Sequence, residues 1–152
     1  MKIKLVTALL AIAFTSCEQK DNSYENKASP ISGTWKLVSA RTITKTDTIV
    51  TFPVKNQEMI KIFNNDTFAF FKHNTDGLTG DSAVFDAGSG SYKLEGDRYS
   101  EHLEYCNYRG WENRDFSFNL RISNDSLIQT GIEKIDSLHV DQQITEIYVR
   151  RK

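Results

Sequence analysis

A chain of 152 residues, 39% hydrophobic, 11% aromatic and 26% charged, is one ordinary domain and not two, with enough apolar residues for a core. Nineteen Lys and Arg stand against twenty Asp and Glu, scattered apart from a terminal Arg-Arg-Lys, so there is no electrostatic footprint for nucleic acid. The motifs Gly-x-Ser-x-Gly, the P-loop and His-Glu-x-x-His do not occur, which removes the common hydrolases, nucleotide enzymes and zinc peptidases that carry them.

Residues 1–16 form the first element. Lys2 and Lys4 precede an apolar run from Leu5 to Phe14, and small residues follow it. That order of charged, apolar and small segments is a secretory signal. The run covers ten residues, too few to cross about 30 Å of hydrocarbon as a helix, so a transmembrane anchor is the weaker reading. The run ends in Phe14-Thr15-Ser16-Cys17, which resembles the lipobox of bacterial lipoproteins. The resemblance implies cleavage before Cys17 and lipidation of its thiol. More than one acyl chain, at about 0.8 kcal/mol per buried methylene, gives stable anchoring. The bland alternative is an ordinary signal peptide with Cys17 incidental. Residues 17–30 continue without apolar periodicity, rich in Glu, Lys, Asn and Ser, and read as the lipidated cysteine and a flexible, disordered tether. Loss of Lys2 and Lys4 with the signal leaves 17 Lys and Arg against 20 Asp and Glu, a net charge of −3. Cys106 then remains as the one thiol, a reactive group or, more simply, a small buried hydrophobe.

From Ile31 to Lys152 the pattern is period two. Segments such as TWKLVSA, MIKIFNN, DTFAFFK, GSYKLEGD, RYSEHLEYC, FSFNLRIS, SLIQTGIEK and QQITEIYVRR alternate, are rich in β-branched and aromatic residues, and end in Gly, Asn, Asp or Ser clusters. Asn64-Asn65-Asp66, Glu95-Gly96-Asp97 and Ser123-Asn124-Asp125 predict tight hairpins, because Asn, Asp and Gly tolerate left-handed backbone. Sequential hairpins make an antiparallel meander whose two edges are removed by closure. The expectation is an all-β, up-and-down antiparallel barrel of about eight to ten strands over residues 31–152. Asn74–Gly88 reads as a long loop, and Cys106–Arg114 as a shorter one with room for a helical turn.

Gly33-Thr34-Trp35 on the first strand resembles the Gly-x-Trp signature of lipocalins, in which the tryptophan closes the barrel floor and a basic residue from the last strand packs over its ring. The closing ITEIYVRRK supplies Arg150 and Arg151, and strand parity favours Arg150. Together with GSYKLEGDRYSEHLEY (Gly90–Tyr105), the chain resembles lipocalin-like, calycin-type lipoproteins of bacterial envelopes, a group without an assigned activity. The resemblance implies a structural closure made by Gly33, Trp35 and Arg150, and a place in the bacterial cell envelope, lipid-anchored and either periplasmic or surface-facing.

Candidate ligand-binding residues come from strand faces. Tyr99, Glu101, Leu103 and Tyr105 alternate onto one face of RYSEHLEYC, and aromatic rings with one carboxylate make a plausible cavity wall. Phe116, Phe118, Leu120 and Ile122 form an apolar face on the following segment, and Tyr148 shares parity with Arg150. The alternative is a filled barrel in which Glu101 pairs with an internal arginine and nothing binds. His73, His102 and His139 lie on separate elements, short of the three or four converging ligands a metal needs, so no metal and no cofactor is expected. Trp111, beside Tyr108 and Arg109, is a portal lid, a contact patch or a ring tucked over the barrel's end. The Asp-Ser/Thr triplets at Asp47, Asp81, Asp125 and Asp136 resemble a short O-glycosylation motif and equally suit turn-to-strand junctions. The functional expectation is a non-catalytic envelope protein that binds a small apolar or amphipathic ligand in its barrel. The alternative is a scaffold lipoprotein that meets an envelope protein through its surface.

Overall fold

Period-two alternation becomes nine strands: β1 (Gly33–Ile43), β2 (Thr48–Phe52), β3 (Gln57–Phe63), β4 (Thr67–Asn74), β5 (Phe85–Glu95), β6 (Arg98–Cys106), β7 (Arg114–Ser123), β8 (Ser126–Ile135) and β9 (Val140–Arg150). The computed structural model describes residues 29–152; the expected signal segment, Cys17 and the tether before Ser29 lie outside the described residues. Among the described residues the only helical pieces are three single 3₁₀ turns, at 80–82, 109–111 and 136–138.

Every strand pairing is antiparallel, and from β3 to β9 each strand neighbours the next in sequence. β1 does two jobs. One flank pairs with β9, from Trp35 opposite Arg150 to Ile43 opposite Gln143. Its other flank pairs with β3 over Gly33–Lys36 and with β2 over Ala40–Ile43. The result is a closed, eight-stranded, up-and-down barrel, with β2 continuing the flank that β3 begins, and this architecture fits a lipocalin-like fold. Closure satisfies the edge amides that an open meander would leave to other chains.

The turns follow local chemistry. Gly96 and Asn124, at φ of +65° and +52°, supply the left-handed positions of the β5–β6 and β7–β8 hairpins. The expected long loop is shorter than 74–88, because β5 starts at Phe85, opposite His73. Asn74 holds its ends: its side chain accepts from the Val84 amide at 3.0 Å and donates to Asp76 at 2.7 Å. Thr48 and Ser126 open β2 and β8, while Ser82 and Ser137 lie in 3₁₀ turns, so all four triplets mark turn junctions.

The closed end is packed around Trp35, Tyr99, Tyr148, Ile31 and Leu127, all without solvent exposure. The Trp35 Nε1 donates to the Ile31 carbonyl at 2.7 Å, and the Arg150 guanidinium carbon lies 4.1 Å from the indole centroid. Arg150 also donates to the carbonyls of Ser32 (2.7 Å) and Pro30 (3.2 Å), so one side chain joins the last strand to the segment entering the first. Gly33 lets that segment pass: its φ is +121°, and a Cβ there would stand 3.0 Å from Arg150 Nη1.

Strict alternation slips at three places, with Val38 extra on β1, Thr51 on β2 and a third residue on β6, and the slip on β6 exchanges faces beside the barrel interior. Ser89 pairs with Tyr105 but Gly90 pairs with Leu103, which leaves Glu104 as an extra, bulged residue on β6. Beyond the bulge the faces are exchanged. Tyr105 therefore points outward, 67% exposed, and Cys106 turns inward. The sequence-based placement of Tyr105 on the cavity face is corrected accordingly.

Candidate functional site

At the end of the barrel away from Trp35 the side chains do not meet, and a cavity of about 320 Å³ remains. Met59, Phe70, Leu103, Trp111 and Phe116 form its apolar wall. Trp111 comes from the turn between β6 and β7 and packs against Phe116, with ring centroids 5.9 Å apart. Phe116, Phe118 and Tyr99 continue as a row of rings toward the floor, at centroid spacings of 6.2 and 6.3 Å.

The polar base is built around Lys61, only 4% exposed. Its Nζ lies 2.9 Å from Glu101 Oε2 and 3.3 Å from Gln129 Oε1. The rings of Phe68, Tyr99 and Phe63 stand 4.9, 5.0 and 5.4 Å from the same nitrogen, so aromatic faces supply the attraction that water would otherwise provide. Tyr99 donates to Glu101 Oε2 at 2.6 Å, and burial with the neighbouring Glu101 charge pushes its phenol far above the usual range. Glu101 thus faces a lysine, where the filled-barrel alternative had an arginine.

Two further carboxyl groups reach the cavity from adjacent strands. Glu146 on β9 accepts from Tyr148 at 2.7 Å; burial raises its pKa, opposed by Lys61 and that hydrogen bond. Glu133 on β8 accepts from Gln142 at 2.7 Å. Burial pushes Glu133 up to about 7, the Gln142 amide opposes the rise, and Glu146 and Glu101 add to it. Nearer the mouth, Lys72 pairs with Asp86, which also accepts from Tyr108 at 2.6 Å. Cys106 lines the wall as a free, buried thiol, and burial pushes its pKa up, away from nucleophilic use.

Of the residues singled out from sequence, Glu101, Leu103, Phe116 and Tyr148 line this cavity together. Tyr99 and Phe118 are buried behind it, and Tyr105 is outside the barrel. Lys61, Gln129, Glu133 and Glu146 were missed. Parity with Tyr148 places Glu146 on the same face, and parity with Leu127 does the same for Gln129 and Glu133. His102 sits on the outer surface against Asp115 at 2.8 Å. Among the described residues no three His, Cys, Asp or Glu side chains converge on a point where a metal ion could sit.

No family model and no curated protein matches the chain. Among solved structures, an uncharacterized protein from Bacteroides eggerthii DSM 20697 is similar over 79% of this chain and 98% of its own, at 15% identity and a TM-score of 0.47.

Proposed function

We propose that this is a lipid-anchored protein of the bacterial envelope that binds a small amphipathic molecule in its barrel without transforming it. The observation that carries this reading is the cavity itself: about 320 Å³, apolar along one wall and polar at its base. Binding sites for small molecules are concave and largely apolar, with a few placed polar groups. At roughly 30 Å³ per water-sized unit, the space suits about ten non-hydrogen atoms. The absence of catalysis is supported by the state of the available nucleophiles, because burial raises Cys106 and Tyr148 away from their reactive forms. Anchoring is supported by Phe14-Thr15-Ser16-Cys17 at the end of an apolar run.

The test uses the protein extracted from its own membranes. Native mass spectrometry detects a bound molecule, and small amphipaths change the fluorescence of Trp111 on the cavity wall. Leu103→Trp, which fills the space, abolishes both while circular dichroism stays that of the barrel. A wild-type protein with no bound mass and no fluorescence response removes the binding reading. Cys17→Ala moves the protein from the membrane to the soluble fraction; retention at the membrane removes the anchor.

A second reading has an observation of its own. Ile62, Phe71 and Tyr105 are exposed on the outer face of β3, β4 and β6 and border one shallow groove, as a protein-contacting surface would. Crosslinking in membranes decides it, since a stoichiometric protein partner lost in Tyr105→Ser supports the scaffold role.

A further inference from the structure

The lining of the cavity carries more negative than positive groups. Lys61 and Lys72 are its cations, and Asp86, Glu101, Glu133 and Glu146 its carboxyl groups. Lys61 is paired with Glu101 and Lys72 with Asp86. Among the described residues, neither Glu133 nor Glu146 has a cation within 4.0 Å; each is held by one neutral donor, Gln142 or Tyr148. Two carboxyl groups sharing a small, mostly apolar space, with their positive counterparts already taken, are incomplete on electrostatic grounds.

We propose that the cavity takes a small organic cation, an amine of about ten non-hydrogen atoms whose ammonium group lies in the field of Glu133 and Glu146 while its apolar body runs along Leu103, Trp111 and Phe116. This rests on the cavity being a binding site. A metal ion is the wrong occupant, because the acidic side chains do not converge on one point. An anion meets two surplus carboxyl groups and finds both lysines engaged. A purely apolar molecule leaves the polar base unanswered.

The arrangement carries its own pH signature. The groups facing Glu133 are Gln142, Glu146 and Tyr148 on β9, Glu101 on β6 and Lys61 on β3, and the Lys72–Asp86 pair lines the same space from β4 and β5. With Glu133 titrating at about 7, its ionised fraction rises about tenfold between pH 6 and pH 8, while an aliphatic amine stays protonated throughout. Affinity for the cation rises with it, and binding releases a proton.

The experiment compares three probes with one ring and different heads: 2-phenylethylamine, 2-phenylethanol and phenylacetate, by titration calorimetry on the full mature chain at pH 6 and pH 8. The expected result is that the amine binds about tenfold tighter than the alcohol at pH 8, that phenylacetate is weakest, and that the amine loses about tenfold at pH 6. Glu133→Gln removes the pH dependence, and Glu133→Gln and Glu146→Gln each weaken the preference for the amine, with melting curves showing intact barrels. Equal or tighter binding of the alcohol or phenylacetate at pH 8, or amine affinity flat between pH 6 and pH 8, overturns the inference and leaves the cavity as a binding site. A pH dependence that survives Glu133→Gln also overturns it. If none of the three probes binds, the cavity reading itself fails and the inference falls with it. The wild-type series decides the question even where a variant does not fold.

Discussion

Lys61 shows how a single residue escapes a sequence reading. In Met59-Ile60-Lys61-Ile62-Phe63 the two isoleucines look like the core face. Ile62 is instead 36% exposed and Lys61 is buried. An ammonium group is tolerated there because Glu101, 40 positions along the chain, meets it at 2.9 Å, and three rings surround it. Removing one partner of such a pair leaves an uncompensated buried charge, at about 3–5 kcal/mol. Lys61→Met is expected to lose that much in urea unfolding, and Glu101→Gln in the same chain to recover most of it. Failure of the second change to rescue the first would show that the pair does not hold the base together. Glu133 acts in the opposite sense. Its carboxyl titrates at about 7 in the folded chain against an ordinary 4.5, so the folded state binds this proton more tightly than the unfolded chain does. Stability therefore falls as pH rises from 4.5 to 7 and is level beyond, by at most about 3 kcal/mol from this group. Glu133→Gln raises the melting temperature of the unliganded protein at pH 8, by roughly 10 °C at that limit, and leaves it unchanged at pH 4. An equal gain at both pH values would show that burial of the charge is not the cause.

At the scale of elements, β6 carries the main departure from the expected pattern. Period two assigns faces only while each residue has one partner across the ladder, and the extra Glu104 exchanges them within three residues of the strand's end. The signal for this sits on the neighbouring strand. Gly90 lies so close to β6 that a Cβ would stand 1.9 Å from the His102 carbonyl oxygen. Gly90→Ala is expected to cost about 3 kcal/mol or more, since backbone rather than a flexible side chain must move. Tyr105→Ser, on the outward side of the bulge, changes stability by less than about 0.5 kcal/mol. Comparable losses from the two would place Tyr105 back in the core. Gly88 misled the loop boundary for a related reason. It sits inside β5, where a side chain would run into the Phe70 ring at 2.6 Å, although a glycine in sequence suggests a break.

For the whole molecule the joint between first and last strands decides closure. Arg150 stacks on Trp35 and donates to two carbonyls of the entering segment, so Arg150→Ala removes a cation–π contact and two charge-assisted hydrogen bonds, about 2–3 kcal/mol in thermal unfolding. Arg150→Lys restores less than half, because an ammonium group lacks the planar fork that stacks and donates in two directions at once. Full recovery by lysine would mean that charge alone closes the barrel.

The amino-acid sequence by itself determined an all-β meander and its hairpins at 64–66, 95–97 and 123–125. Strand periodicity and turn chemistry act over a few residues and need no distant partner. Only the tertiary structure decided that the barrel is hollow at one end, that Tyr105 leaves the inner face, and that Lys61, Glu101, Gln129, Glu133 and Glu146 share one space. Those outcomes depend on a one-residue slip in register and on polar groups from four strands meeting across a closed sheet, and no local pattern encodes either.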